Sequence, residues 1–293
     1  MTVDLAAAAS FLATHGRLLD RRRFEFLFGK VGSDAVLAAV DGYRNPDGGY
    51  GWGLEPDLRA GESQPGGALH ALEVFAEAGP TSRAVEACDW LAGVSLPDGG
   101  VPFAVPVADP AGCAPFWANA DPHASSLQST AFVAGVAHRV AARDPRVAGH
   151  PWLAAATRYC FDTIAALDAA PFAIELNFAI GFLDAAYETH AEAAPLLDKL
   201  GAFVPGNGLV PVAGGSDGET MRPLDFAPLP DRPARRLFSA EVIDDDLRRL
   251  ATGQQDDGGW RVDFRSYSPA AELEWRGYAT VAAVSLLRAN GVV

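Results

Sequence analysis

Gln254-Gln255-Asp256-Asp257-Gly258-Gly259-Trp260 decides how this chain is read. Worn copies stand upstream, Asn45-Pro46-Asp47-Gly48-Gly49-Tyr50-Gly51-Trp52 and Leu96-Pro97-Asp98-Gly99-Gly100-Val101-Pro102-Phe103. Each has Asp-Gly-Gly followed by an aromatic, with a helical pattern on either side. A helix that must stop and hand over to an antiparallel partner needs a left-handed residue, which glycine supplies and Asn or Asp tolerates. The aromatic can fold back to plug the gap between helix pairs, and Gln254 or Gln255 can bond open backbone groups. The stretch therefore reads as a joint.

Working outward, Asp168-Ala169-Ala170-Pro171-Phe172 stands where a further copy belongs, without its glycines, and Pro205-Gly206-Asn207-Gly208 supplies another turn. The turn positions Asp47, Asp98, Asp168, Asn207 and Asp257 recur about every 50 residues, two helices per repeat. Predicted helices run from Asp4 to His15, from Ser33 through Val36 and Val40, from Gln64 to Ala78, and from Thr81 through Cys88 and Leu91. Others open at Ser125 or Ser126, at Pro151, at Ile174 and at Ala191. Ser239 caps one through Ile243 and Leu250, and the last spans about Leu273 to Asn290. About eleven helices result, with Leu209-Val210-Pro211-Val212 a short extended piece. The connection from Val101 to Ala124 is long, rich in Pro and aromatics, and of the kind that lines sites. Arg21-Arg22-Arg23 and Asp244-Asp245-Asp246 read as solvated charge runs.

Bulk composition narrows the function. Hydrophobic residues make up 49% of the 293 and charged ones 20%, enough for a core. A net charge of -14 argues against nucleic acid and against a polybasic membrane anchor. No apolar run approaches ~18 residues, so no membrane span is expected. The start Met1-Thr2-Val3-Asp4 carries an acid where a signal peptide wants a cation. Cys88, Cys113 and Cys160 cannot all pair and read as reduced thiols. The expectation is a cytoplasmic acidic protein.

Gln-x-x-Asp-Gly-Gly-Trp resembles the repeat of squalene–hopene cyclases, other class II terpene cyclases and the β subunits of protein prenyltransferases. The resemblance implies an all-α fold, an α/α toroid of about five to six helix pairs, with residues 1–293 as one domain. Outer helices would precede each motif and inner helices follow it. The inner-helix starts would then share one end of a central cavity.

Those starts supply the candidate residues. The first gives Trp52, Glu55, Asp57, Glu62 and Gln64, and the second Trp117, Asp121 and His123. A third gives Glu175 and Asn177, and the last gives Glu274, Trp275 and Arg276. Acids and serines also suit helix N-termini as caps. The family's Asp-x-Asp-Asp acid motif is absent; the matching stretch is Gly61-Glu62-Ser63-Gln64, with one acid. Asp121 and His123 are a two-ligand hint, short of a zinc site, and neither metal nor cofactor is expected. His70 and His138 read as packed, hydrogen-bonded histidines.

The resemblance implies a terpene-cyclase-like enzyme acting by acid catalysis on an apolar, isoprenoid substrate. Glu62 or Asp57 would be the acid, and the other candidates would contact substrate. Two alternatives stay open. One is a sugar-active α/α enzyme with a carboxylate pair, which an open groove would favour. The other is a non-catalytic binding scaffold, which a plugged cavity would favour.

Overall fold

The computed structural model describes residues 3–293. Met1 and Thr2, part of the N-terminal start read above, lie outside the described residues. The fold is all-α. Its helices are α1 (Leu5–Thr14), α2 (Leu18–Leu27), α3 (Ser33–Val40), α4 (Pro65–Ala78), α5 (Ser82–Val94), α6 (Pro115–Ala118) and α7 (Leu127–Ala141). There follow α8 (Pro145–Ala148), α9 (Pro151–Ala166), α10 (Ala173–Ala186), α11 (Ala193–Gly201), α12 (Pro223–Phe226), α13 (Ala240–Thr252) and α14 (Pro269–Ala289). Strands β1 (Val210–Pro211) and β2 (Thr220–Met221) form a small antiparallel pair at the extended piece. No helix among the described residues is long and apolar enough to cross a membrane. The chain divides into two compact units, residues 40–203 and residues 1–39 with 204–293.

Residues 40–203 form two helical layers. Helices α4, α7 and α10 lie side by side, and α5, α9 and α11 pack behind them. Apolar residues at helical spacing make the seam: Leu69, Leu72 and Phe75 of α4, Ala84, Cys88 and Leu91 of α5, and Ala131 and Ala134 of α7 are all buried. Each fully buried Leu or Phe side chain contributes roughly 1.5–3 kcal/mol relative to exposure. Gly135 lets α7 approach α10 closely, because a Cβ there would lie 3.1 Å from the Phe182 Cα. Thr81 and Ser126 cap α5 and α7 through their side-chain oxygens.

In the other unit α14 packs against α1, α2 and α13. Phe11, Leu12, Phe24, Trp260, Val281, Val284 and Leu287 form its core. Helix α14 begins at Pro269, capped by Ser268, four residues before the expected start. Pro is suited to a first helical position because its missing N–H would be unpaired there anyway. Two charge runs differ from expectation. Arg21 and Arg22 pair with Glu25 at the surface, but Arg23 is buried, its guanidinium over the Tyr278 ring. Asp245 pairs with Arg248 at the surface, whereas Asp246 is buried and accepts the Leu224 N–H at 3.0 Å, tying α12 to α13.

The motif builds the same joint in three places. Gly48, Gly99 and Gly258 have φ of +87°, +92° and +92°. A Cβ on each would meet the backbone oxygen of Glu86 on α5 at 3.2 Å, of Ala155 on α9 at 2.8 Å and of Ala7 on α1 at 2.3 Å. The second glycine of each copy faces the aromatic one turn further along that helix: Trp90, Tyr159 or Phe11. Asp47, Asp98 and Asp257 each accept the N–H two residues on, at 3.0, 3.1 and 3.1 Å. The same carboxylates accept Ser63 Oγ and Ser125 Oγ from just before α4 and α7, and Arg276 Nη2 from within α14. Helix α1 thus stands to the last motif as α5 stands to the first and α9 to the second. Gln254 fastens it, accepting the Asp4 N–H and donating to the Asp4 carbonyl, both at 2.8 Å. Asn207 makes the same turn with Leu209 N at 3.1 Å, and Gly208 there has φ +71°.

Candidate ligand cleft

The first joint does more than turn the chain. Beyond Gly49 the backbone runs through Gly51, where a Cβ would lie 2.2 Å from the Glu62 carbonyl, so only glycine fits. Trp52 follows with φ +56°, the only non-glycine residue with positive φ among the described residues. A bulky side chain in this region is strained by about 1–2 kcal/mol, and such strain clusters at functional sites. The conformation is held by Trp52 N–H on the Ala60 carbonyl at 2.7 Å and by the indole N–H on Asn45 Oδ1 at 2.7 Å. The ring lies beside Gly61 and is 62% exposed.

Trp52 stands at the edge of a solvent-open cleft of about 920 Å³. Its floor is the first joint with Asn45, Asp47, Ser63 and Trp90; one wall carries Arg59 and Glu62, and the other is residues 105–111 with Asp109. The second wall comes from the long connection after the second motif. Two contacts bring it in. Gln64, buried, donates to the Val105 carbonyl and accepts the Val105 N–H, both at 3.0 Å. Glu62 Oε1 accepts the Ala108 N–H at 3.0 Å. Asp47 is fully engaged by Gly49 N–H, Ser63 Oγ and Trp90 Nε1. Asp109 accepts the Ala111 N–H at 2.9 Å.

Of the residues singled out from sequence, the cleft gathers Trp52 and Glu62, with Gln64 bracing its wall. Asp57 is buried just behind, its carbonyl accepting Ala114 N–H at 2.8 Å and its N–H donating to Glu55 Oε1 at 3.2 Å. Glu55 is also buried and lies 3.0 Å from His70 Nε2; His70 Nδ1 lies 3.0 Å from Glu73. Trp117 stacks on Phe103 at 4.3 Å between centroids and lies over Gly66, next to Glu55. Asp121 and His123 are exposed and share a local turn, Asp121 Oδ1 accepting His123 N–H.

Glu175 and Asn177 open α10. Burial raises the Glu175 carboxyl above its ordinary range, against a backbone hydrogen bond from Gln128. Phe178, one turn on, stacks on Phe132 at 3.9 Å, and Asn177 Oδ1 is buried without a hydrogen-bond partner. Glu274, Trp275 and Arg276 belong to the other unit. Glu274 is half-buried, and Trp275 packs edge-on against Phe264 and Tyr278. Arg276 covers the Phe11 ring and binds Asp257 at 2.7 Å, which holds that carboxyl below its usual range.

Asn45, Arg59, Trp90 and Asp109 line the cleft without being among the candidate residues drawn from the sequence. Asn45 belongs to the first motif and Arg59 to the first inner-helix start, whereas Asp109 carries no local signal. Among the described residues no group of three or more His, Cys, Asp or Glu side chains could hold a metal ion. The three cysteines are free, and burial pushes the Cys88 thiol up to about 12.

No family model matches this chain, and no curated protein matches it. Solved structures are similar to this chain. One of them is the crystal structure of a protein from Actinoplanes, 15% identical, with a TM-score of 0.51 over 97% of this chain and 88% of that one. At that identity the likeness bears on the fold alone.

Proposed function

We propose that the cleft binds a saccharide and that this chain is a sugar-active α/α protein. The observation that carries the reading is Trp52, a rigid exposed indole at the rim of an open, carboxylate-lined cleft. Its backbone strain and its bond to Asn45 fix the ring before any ligand arrives, so little rotamer entropy remains to be lost on binding. The apolar face of a pyranose can lie on such a ring, while Glu62 and Asp109 accept from its hydroxyls and Arg59 donates. Glu62 is the candidate acid or base. Carbocation chemistry on an isoprenoid calls for an enclosed, water-excluding cavity, and this cleft is open to solvent.

Repeat geometry supports an α/α toroid as the larger arrangement, with α1 serving as the outer helix that the last motif requires. A second reading, acid catalysis on an isoprenoid, is favoured by one feature. Glu175 has the raised affinity for its proton that a general acid needs, and it opens the helix that carries the Phe132–Phe178 stack.

A panel of neutral, acidic and amino oligosaccharides, screened by calorimetry and by product analysis, tests the first reading. Binding to at least one class is expected, with Trp52→Ala weakening it by about tenfold or more. Glu62→Gln should abolish any turnover while retaining binding. Absence of binding across the panel, together with cyclised product from prenyl diphosphates or linear triterpenes, would replace it with the second.

A further inference from the structure

Buried within the same unit, below Trp117, is a group that the cleft reading does not use. His70 on α4 has one ring nitrogen 3.0 Å from Glu55 and the other 3.0 Å from Glu73, and His70 and Glu55 are 5% and 7% exposed. Ionised carboxylates only accept hydrogen bonds, so a ring nitrogen facing each must carry a proton. The geometry is that of an imidazolium between two carboxylates. A neutral ring could donate to only one of the two carboxylates and would withdraw the positive charge that lies between them.

Position gives this triad a consequence. Glu73 is on α4 itself, whereas Glu55 belongs to the non-helical segment 53–62, which ends at the cleft wall with Arg59 and Glu62. Glu55 is fixed in that segment by the Asp57 N–H on its Oε1 and by Leu58 N–H on its carbonyl at 3.0 Å. We propose that Glu55, His70 and Glu73 form a protonated latch that holds the cleft wall, residues 53–62, against α4 and releases it when His70 is deprotonated.

The charges acting on His70 come from both sides of this contact. Glu73 faces it from its own helix and Glu55 from the wall segment, with Asp57 next behind Glu55. Of the helices packed against α4, α5 turns Arg83, Glu86 and Asp89 toward Asp41, Arg44 and His150, and α7 turns His138 toward Thr157 and Arg139 to solvent. Burial by itself would lower the His70 pKa. The hydrogen bonds and charges of Glu55 and Glu73 outweigh it and raise the value to about 9. The unfolded value is near 6.5. A raised folded value means that the latch contributes fully below about pH 6.5 and is lost as pH rises toward 9.

The latch stands on this geometry alone; its effect on ligand binding rests on the reading of the cleft. Nitrogen-15 spectra of the histidine side chains at pH 7.5 should show both His70 nitrogens protonated. Amide exchange of residues 53–62, corrected for intrinsic rate, should lose protection by about tenfold per pH unit from pH 7 to 9. His70→Gln, which can serve only one carboxylate as a donor, should start less protected and change little over that range. A neutral single tautomer of His70 at pH 7.5, or pH-independent protection of 53–62 in the wild-type chain, would overturn the proposal whether or not the variant folds. Saccharide affinity measured over the same series should fall in step with protection. No saccharide binding at any pH would defeat the cleft reading while the spectra and exchange still decide the latch.

Discussion

The three joints predict a graded penalty for the same substitution, Gly→Ala, at the first glycine of each motif. Every alanine must take φ near +90°, which costs about 1–2 kcal/mol. Reduced freedom of the unfolded chain returns about 0.4–1 kcal/mol. What differs is the space. At Gly48 the nearest atom to a Cβ is the Glu86 oxygen at 3.2 Å, which needs a shift of a few tenths of an ångström. At Gly99 the Ala155 oxygen is at 2.8 Å, and at Gly258 the Ala7 oxygen and carbon are at 2.3 and 2.4 Å. All are backbone atoms of packed helices, which cannot rotate away, and overpacking of this kind adds about 1–3 kcal/mol. The expected losses are about 1 kcal/mol for Gly48→Ala, about 2 for Gly99→Ala and about 3 or more for Gly258→Ala. Urea unfolding of the three variants measures them, with amide exchange of residues 5–14 reporting whether α1 leaves the last joint. Equal losses, or Gly258→Ala the mildest, would refute the docking geometry.

Other consequences are simpler to state. Gly181 lies exposed in the middle of α10 with open space where a Cβ would go, so Gly181→Ala should stabilise by about 0.5–1 kcal/mol in the same assay. Gln64→Ala removes both bonds to Val105 and should free residues 105–111, seen as faster amide exchange there with α4 unchanged. Burial, reinforced by His190, lowers His138 to about 4. A depressed histidine contributes stability above its unfolded value near 6.5, and this is lost as pH falls toward 4. With His70 acting in the opposite direction, stability should peak near pH 6.5, and His138→Gln should flatten the acid side of the profile.

The joints were legible in the sequence because their chemistry is local. Asp accepts the N–H two residues away, and glycine takes the left-handed turn, whatever surrounds them. The helix that each joint docks against was not legible, since it comes from about 38 to 56 residues downstream, or, for Gly258, from the first helix of the chain. Half of the cleft was legible for the same reason. Trp52 and Glu62 flank the first motif, but Asp109 enters through hydrogen bonds that span 41 and 46 residues. The early start of α14 was missed because Ser268-Pro269 reads as loop until the Ser268 cap on Ala271 N–H is seen. Arg23 and Asp246 were read as solvated with their neighbours, yet helical periodicity turns one residue of each run inward, where Tyr278 and the Leu224 N–H await it.

The cleft reading places ligand against one indole in particular. The Trp52 N–H donates to Asn45 and the Trp90 N–H to Asp47, so both should give distinct indole resonances, assignable with Trp52→Phe and Trp90→Phe. Titration of the chain with the tightest saccharide of the panel, followed through these signals, is the most direct test. Trp52 should shift most, Trp90 less, and Trp117 and Trp275 little. Movement of Trp117 or Trp275 with Trp52 unchanged would show that ligand binds elsewhere and would contradict the assignment of this cleft.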